Sequence, residues 1–74
     1  MVTRDEVEEV CHGDFIVREA QNGRLMLIGP THARRVLAVI LDPENAEGVY
    51  YPVTARPADR RERRIYQATK GGES

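Results

Sequence analysis

Thr3 followed three residues later by Glu6 has the form of a capping box. Val7, Val10 and Cys11 then recur on one side of a helical period, while Asp5, Glu8 and Glu9 fall on the other. This predicts a helix over 4–11. His12-Gly13 ends it, because glycine takes the left-handed conformation a helix C-cap favours. Residues 15–20 have strand composition, Asn22-Gly23 predicts a type I′ turn, and 24–28 returns as the second strand of a hairpin. Gly29-Pro30-Thr31 interrupts that strand, and a short connection through His32, Ala33 and Arg34 leads to 36–41, apolar at every position. Such a run, apolar on both faces, predicts the central strand. Asp42 to Gly48 is turn-rich. Beyond it Val49, Tyr51, Val53 and Ala55 alternate with Tyr50, Pro52, Thr54 and Arg56. Pro52 has no N–H to donate, so this last strand must be an edge there or carry a bulge. Asp59 and Glu62 form a second capping box, opening a helix to about Ala68, and 70–74 reads as a frayed tail.

The order α-β-β-β-β-α with hairpin-length connections predicts an α+β domain: a small, mostly antiparallel four-stranded sheet with an N-terminal and a C-terminal helix packed on its core face. Residues 1–70 form one domain and 71–74 a flexible tail, with no internal repeat or linker. A chain of 74 residues buries only about 60 % of its unfolded surface, so its stability is marginal. With no Trp, one Phe and three Tyr, the core must be mostly aliphatic. Cys11, the single cysteine, cannot form an internal disulfide and reads as a small buried apolar residue. The run 36–41 is far below the roughly 20 residues of a membrane span, and Met1 to Glu6 has no apolar signal region, so a cytoplasmic protein without membrane contact is expected.

Charge changes this picture. The net value is −1, yet residues 1–20 carry six acids against Arg4 and Arg18, whereas 51–74 carry six bases against Asp59, Glu62 and Glu73. The chain is a dipole along its sequence. Stepped at about 100° per residue, Arg60, Arg63, Arg64 and Gln67 share an arc of roughly 100°, and Ile65 lies nearly opposite. Ile65 therefore docks the last helix, aided by Ala68 and by Tyr66 or the arm of Arg61. Like charges at these spacings cost a helix a few tenths of a kcal/mol per pair, so they call for neutralisation. Two sources are open: the acids Asp5, Glu6, Glu8 and Glu9 of the first helix, or an external polyanion. Ten of the eleven bases are arginine, whose planar fork of donors matches phosphate and carboxylate. The sequence has no glycine-rich phosphate loop and no Ser-His-Asp set, and Cys11-His12 with a distant His32 is weak evidence for zinc. Any catalysis is expected to proceed without metal or cofactor.

The stretch from Val53 to Tyr66, with Ala55-Arg56 ending a strand and Glu62-Arg63-Arg64-Ile65-Tyr66 in a capped helix, resembles the C-terminal signature of BrnT-type toxins. Gly29-Pro30-Thr31-His32-Ala33-Arg34-Arg35 is similar to that family's Gly-Arg-Thr-x-x-Gly-Arg lead into the central strand, and residues 2–7 to its first-helix entry. Pro30 stands where the family has its first arginine, and Arg34 where glycine is usual. The family also carries a segment ending in Lys-His-Gly ahead of this helix, where this sequence starts at Met1-Val2, as in a shorter subfamily or with an upstream start.

The resemblance implies a RelE-like fold and a bacterial ribonuclease toxin of a type II toxin–antitoxin pair, which inhibits growth or translation by metal-free RNA cleavage. It further implies a ribbon-helix-helix antitoxin as partner, DNA contact only through that antitoxin, and leaves a homodimer open. Carried over by position, Arg35, Arg56, Arg64 and Tyr66 are the candidate catalytic residues, with Arg34, Arg60 and Arg63 as RNA-binding neighbours. In the cleavage the ribose 2′-hydroxyl attacks the adjacent phosphate. Arg56 and Arg64 would clamp that phosphate, Arg35 would orient the strand, and Tyr66 would stack on a base or give a proton to the leaving 5′-oxygen. His32 is an outside candidate for general base, since imidazole suits proton transfer near neutrality. A non-catalytic module holding an antitoxin-type protein or RNA through the same arginine face is the alternative.

Overall fold

The computed structural model describes residues 2–43 and 48–71. Its elements are α1 (Arg4–His12), β1 (Ile16–Glu19), β2 (Leu25–Pro30), β3 (Val36–Pro43), β4 (Tyr50–Pro57) and α2 (Arg60–Gly71). The strands form one antiparallel sheet in the order β1-β2-β3-β4, leaving β1 and β4 as edges. This is the α-β-β-β-β-α arrangement that the polar pattern predicts.

α1 starts where its capping box places it. Thr3 Oγ1 accepts the Glu6 N–H at 3.2 Å, and Glu6 Oε1 accepts the Thr3 N–H at 3.0 Å, which satisfies donors a helix start otherwise leaves unpaired. Gly13 ends the helix for a reason other than the one expected. Its φ is −103°, so left-handed freedom is not used. A Cβ at Gly13 would lie 2.8 Å from the Glu9 carbonyl oxygen, and the close approach demands glycine.

Asn22 and Gly23 both sit at positive φ, 62° and 76°, and the Arg24 N–H closes on the Gln21 carbonyl at 3.2 Å, the geometry of the predicted type I′ turn. β2 then runs past its expected end. Gly29 pairs with Leu37 and Pro30 with Val36. Glycine is needed there because a Cβ would come within 2.9 Å of the Phe15 Cβ. The segment read as a strand breaker is thus where the lead into β1 crosses close over β2.

The two faces of the sheet have separate cores. Leu27, Leu37 and Val39, with Leu41, Ala55 and Phe15 around them, pack against Val10, Val7 and Cys11 of α1. Ile16 and Ile28, flanked by Met26 and Val36, pack against Ala58 and against Ile65 and Tyr66 of α2. The expectation of both helices on one core face is corrected by this arrangement. β3 explains it: Leu37, Ala38 and Val39 are all at 0 % exposure, so both faces of the central strand need a cover. The largest fully buried side chains are Ile28, Leu37, Val10 and Val39, an aliphatic core in which each contributes about 1.5–3 kcal/mol.

β4 is both an edge and bulged. Ile40 pairs with Thr54 but Leu41 with Pro52, so Val53 is left over. The predicted alternation breaks there: Ala55 is half-buried under α1, whereas Val49, Tyr50, Tyr51 and Val53 stay 38–47 % exposed. α2 begins with the second capping box, the Glu62 N–H on Asp59 Oδ1 at 2.8 Å and the Asp59 N–H on Glu62 Oε1 at 2.9 Å. It continues past Ala68, so Lys70 and Gly71 are helical rather than part of the tail. The rest of the expected tail (72–74) and the middle of the loop after β3 (44–47) lie outside the described residues. No helix among the described residues is long and apolar enough to cross a membrane.

Candidate functional site

Glu62, Ile65 and Tyr66 turn toward the sheet at spacings of one helical turn, so α2 must present its other side to solvent. Arg60, Arg63, Arg64 and Gln67 are all exposed there, as the helical wheel predicts. Ala68 is exposed too, so Ile65 docks beside Glu62 and Tyr66 without it. Among the described residues no acid lies within ion-pair reach of Arg60, Arg61, Arg63 or Arg64. The acids of α1 cannot answer them, because α1 covers the opposite face and two of its carboxylates are engaged there. Glu6 holds Arg35 at 3.0 Å, and Glu9 lies 3.7 Å from the His32 ring.

Arg56 projects near the end of β4 onto the first turn of α2. Its two terminal nitrogens each donate to one oxygen of Glu62 at 2.7 Å, a bidentate pair. Glu62 is only 8 % exposed. The Arg56 guanidinium holds the Glu62 carboxyl below the usual carboxylate range against the opposing effect of burial, and the same contact raises Arg56 further above its ordinary value. One carboxylate thus caps α2 and ties the last strand to it. Arg56 keeps nearly half of its side-chain surface in solvent.

Tyr66 lies half-buried over Ile16 and Ile28 and donates its hydroxyl to the Asp14 carbonyl at 2.7 Å. Burial, then the Asp14 carboxylate, push the phenol up, with Lys70 opposing. The phenol therefore keeps its proton at neutral pH. Lys70 Nζ reaches the same Asp14 at 2.7 Å, so α2 is pinned to the segment between α1 and β1 by both groups.

The connection from β2 to β3 is a tight turn built on Thr31. This residue is 4 % exposed. Its N–H donates to the Arg35 carbonyl at 2.9 Å, its carbonyl accepts the Arg34 N–H at 2.9 Å, and its hydroxyl accepts the Arg35 N–H at 3.1 Å. Arg34 closes the turn with φ at +65°, a left-handed conformation that non-glycine residues seldom adopt. A cleft of about 530 Å³ opens beside the turn, lined by Pro30, Thr31, His32, Arg34, Val36 and Tyr66.

The predicted site residues are therefore partly gathered. Arg34 and Tyr66 share the cleft, Arg60, Arg63 and Arg64 stand on the outer face of the helix that carries Tyr66, and Arg56 lies at that helix's start, locked to Glu62. Arg35 departs from the group, its guanidinium drawn to α1 by Glu6. Glu62, Asp14 and Glu9 escaped the sequence reading as site residues. For Glu62 the signal was present: the third position of a capping box faces back toward the strand that precedes the helix. A scan against protein-family models gives no match, and neither the curated proteins nor the solved structures contain a significantly similar chain.

Proposed function

We propose that this chain is a metal-independent ribonuclease of the BrnT-type toxin kind, with a RelE-like fold, working in the cytoplasm beside a ribbon-helix-helix antitoxin that masks the same surface. The observation that carries the reading is the outer face of α2. Its arginines are exposed and unanswered by any described acid, on a helix whose Tyr66 lines a cleft large enough for a nucleotide. Single-faced arginine clusters of this kind are the electrostatic footprint of phosphate binding.

The turn before β3 adds support. Glycine at position 29 is needed for close packing, Thr31 organises the turn through three hydrogen bonds, and the position where the resembled family has its second glycine is left-handed here, filled by Arg34. The motif's spacing thus matches a backbone requirement.

In the proposed reaction Arg64, with Arg60 and Arg63 beside it, binds the phosphates flanking the scissile bond and stabilises charge growing on the phosphoryl oxygens. Arg34 contacts the strand in the cleft. Tyr66 exchanges the Asp14 carbonyl for the departing 5′-oxygen and gives it a proton. Arg56 acts with its solvent-facing edge, held in place by Glu62. Arg64→Ala and Tyr66→Ala should each lower the rate of single-stranded RNA cleavage in EDTA at least tenfold; unchanged rates in both variants refute the assignment.

One observation favours a second reading, a non-catalytic module that grips a partner protein. Both terminal nitrogens of Arg56 are taken by Glu62, and the β4 edge exposes Tyr50, Tyr51 and Val53, with Val49 exposed just before it. Co-purification with a ribbon-helix-helix protein and no loss of RNA would favour it.

A further inference from the structure

His32 has no role in the motif, yet the fold gives it one. It lies in the Thr31–Arg34 turn with its side chain 85 % exposed, so nothing in the packing of the core requires imidazole at this place. It is nevertheless held. Glu9, on the last part of α1, accepts the His32 backbone N–H with Oε1 at 2.9 Å and sets Oε2 3.7 Å from the ring Nδ1. One carboxylate from another element fixes the backbone and faces one ring nitrogen, which leaves Nε2 turned away from it. His32 also lines the cleft that holds Arg34 and Tyr66. An imidazole, a guanidinium and a protonated phenol thus line one depression, and the Glu9 carboxylate stands behind the imidazole on its other side; these are groups that an acid–base cleavage of a phosphodiester uses.

We infer that His32 is the general base of the cleavage, with Glu9 as its positioning residue and Tyr66 as the acid on the opposite side of the scissile phosphate. The inference rests on the ribonuclease reading above. The ribose 2′-oxygen forms a bond to phosphorus as its proton passes to His32 Nε2. The bond from phosphorus to the 5′-oxygen breaks, and that oxygen takes the Tyr66 proton. The products are a 2′,3′-cyclic phosphate and a free 5′-hydroxyl, with no oxidant, metal or water consumed. Proton exchange with solvent returns His32 and Tyr66 to their starting forms. Glu9, 3.7 Å from Nδ1, places a negative charge beside the ring and supports the positive charge that it acquires. The base is supplied by the turn before β3 and the acid by α2, so the substrate strand must lie across the cleft between them.

The test uses the 74-residue chain, a single-stranded RNA of mixed sequence, and the same RNA with 2′-deoxy sugars as a non-cleavable binding probe. General base catalysis contributes about 10²–10⁴-fold, so His32→Ala should lose about 10²-fold or more in kcat while binding the deoxy probe as the parent does. Added imidazole should restore part of the lost rate. Glu9→Gln, which keeps an acceptor for the backbone N–H, should cost several-fold in the parent and nothing further in the His32→Ala background, because the two act as one unit. A parent that cleaves with His32→Ala equally fast overturns this inference and leaves the ribonuclease reading standing. A parent that leaves RNA whole overturns both. Lost activity that imidazole cannot restore, with Glu9→Gln costing as much in the variant as in the parent, also overturns the assignment of His32 as base.

Discussion

α1 and α2 each begin with a capping box whose glutamate reaches beyond its own cap to an arginine at a strand end: Glu6 to Arg35, just before β3, and Glu62 to Arg56, near the end of β4. The first pair has one contact at 3.0 Å between side chains 39 % and 21 % exposed, whereas the second has two at 2.7 Å and a carboxylate only 10 % exposed. The two helices also cover opposite faces of the sheet and turn opposite charge outward, Asp5 and Glu8 from α1 and Arg60, Arg63 and Arg64 from α2. The dipole along the sequence becomes a dipole across the sheet. The comparison teaches that one local device can end in two ways: a buried clamp under a basic face, and a lighter contact under an acidic one.

The largest expected effect separates the outward faces. Replacing Arg60, Arg63 and Arg64 by glutamate should weaken single-stranded RNA binding by more than about 10²-fold. The dependence of log affinity on log salt should flatten by about 2, at about 0.7 per lost phosphate contact. Asp5→Asn with Glu8→Gln should leave affinity undiminished; fluorescence anisotropy across a salt series reads both, and equal losses in the two variants would break the comparison.

Next come the clamps. Glu62→Ala removes a cap and a bidentate partner and should cost about 2 kcal/mol of stability, after allowance for the exposure of Arg56. Glu6→Ala should cost less, and urea titrations that reverse this order would contradict the account. Gly29→Ala drives a methyl into Phe15 and should cost about 1–3 kcal/mol, the usual range for overpacking.

The smallest effect is in pH. Because Arg56 holds the folded-state Glu62 below its ordinary value of 4.5, the unfolded chain binds the proton first. The stabilisation is complete above about that ordinary value and is lost as pH falls through the lower folded one. Acid titration of stability should therefore decline less steeply below pH 4.5 in Glu62→Gln than in the parent. Identical acid limbs would show that the pair contributes nothing in that window.

Much of this fold was legible because its signals are local. Both capping boxes, the Asn22-Gly23 turn, the apolar central strand and the demand of Pro52 for an edge or a bulge each depend on residues a few positions apart. The face each helix covers was not legible, since it depends on how two distant elements share the apolar surface of β3. Gly29-Pro30 misled because composition marks them as breakers, while the need for glycine comes from Phe15, fourteen positions earlier in the chain. The wheel placed Arg60, Arg63 and Arg64 correctly. It could not show that Arg35 turns to Glu6 or that Glu9 reaches His32, contacts across 29 and 23 residues of chain.

The most direct test of the central claim, that the α2 face and its cleft form a metal-free RNA-cleaving surface, is to incubate the purified chain with end-labelled single-stranded RNA in EDTA and to identify the new ends. The account predicts fragments ending in 2′,3′-cyclic phosphate and beginning with a 5′-hydroxyl. RNA that remains whole after long incubation with excess protein would contradict it.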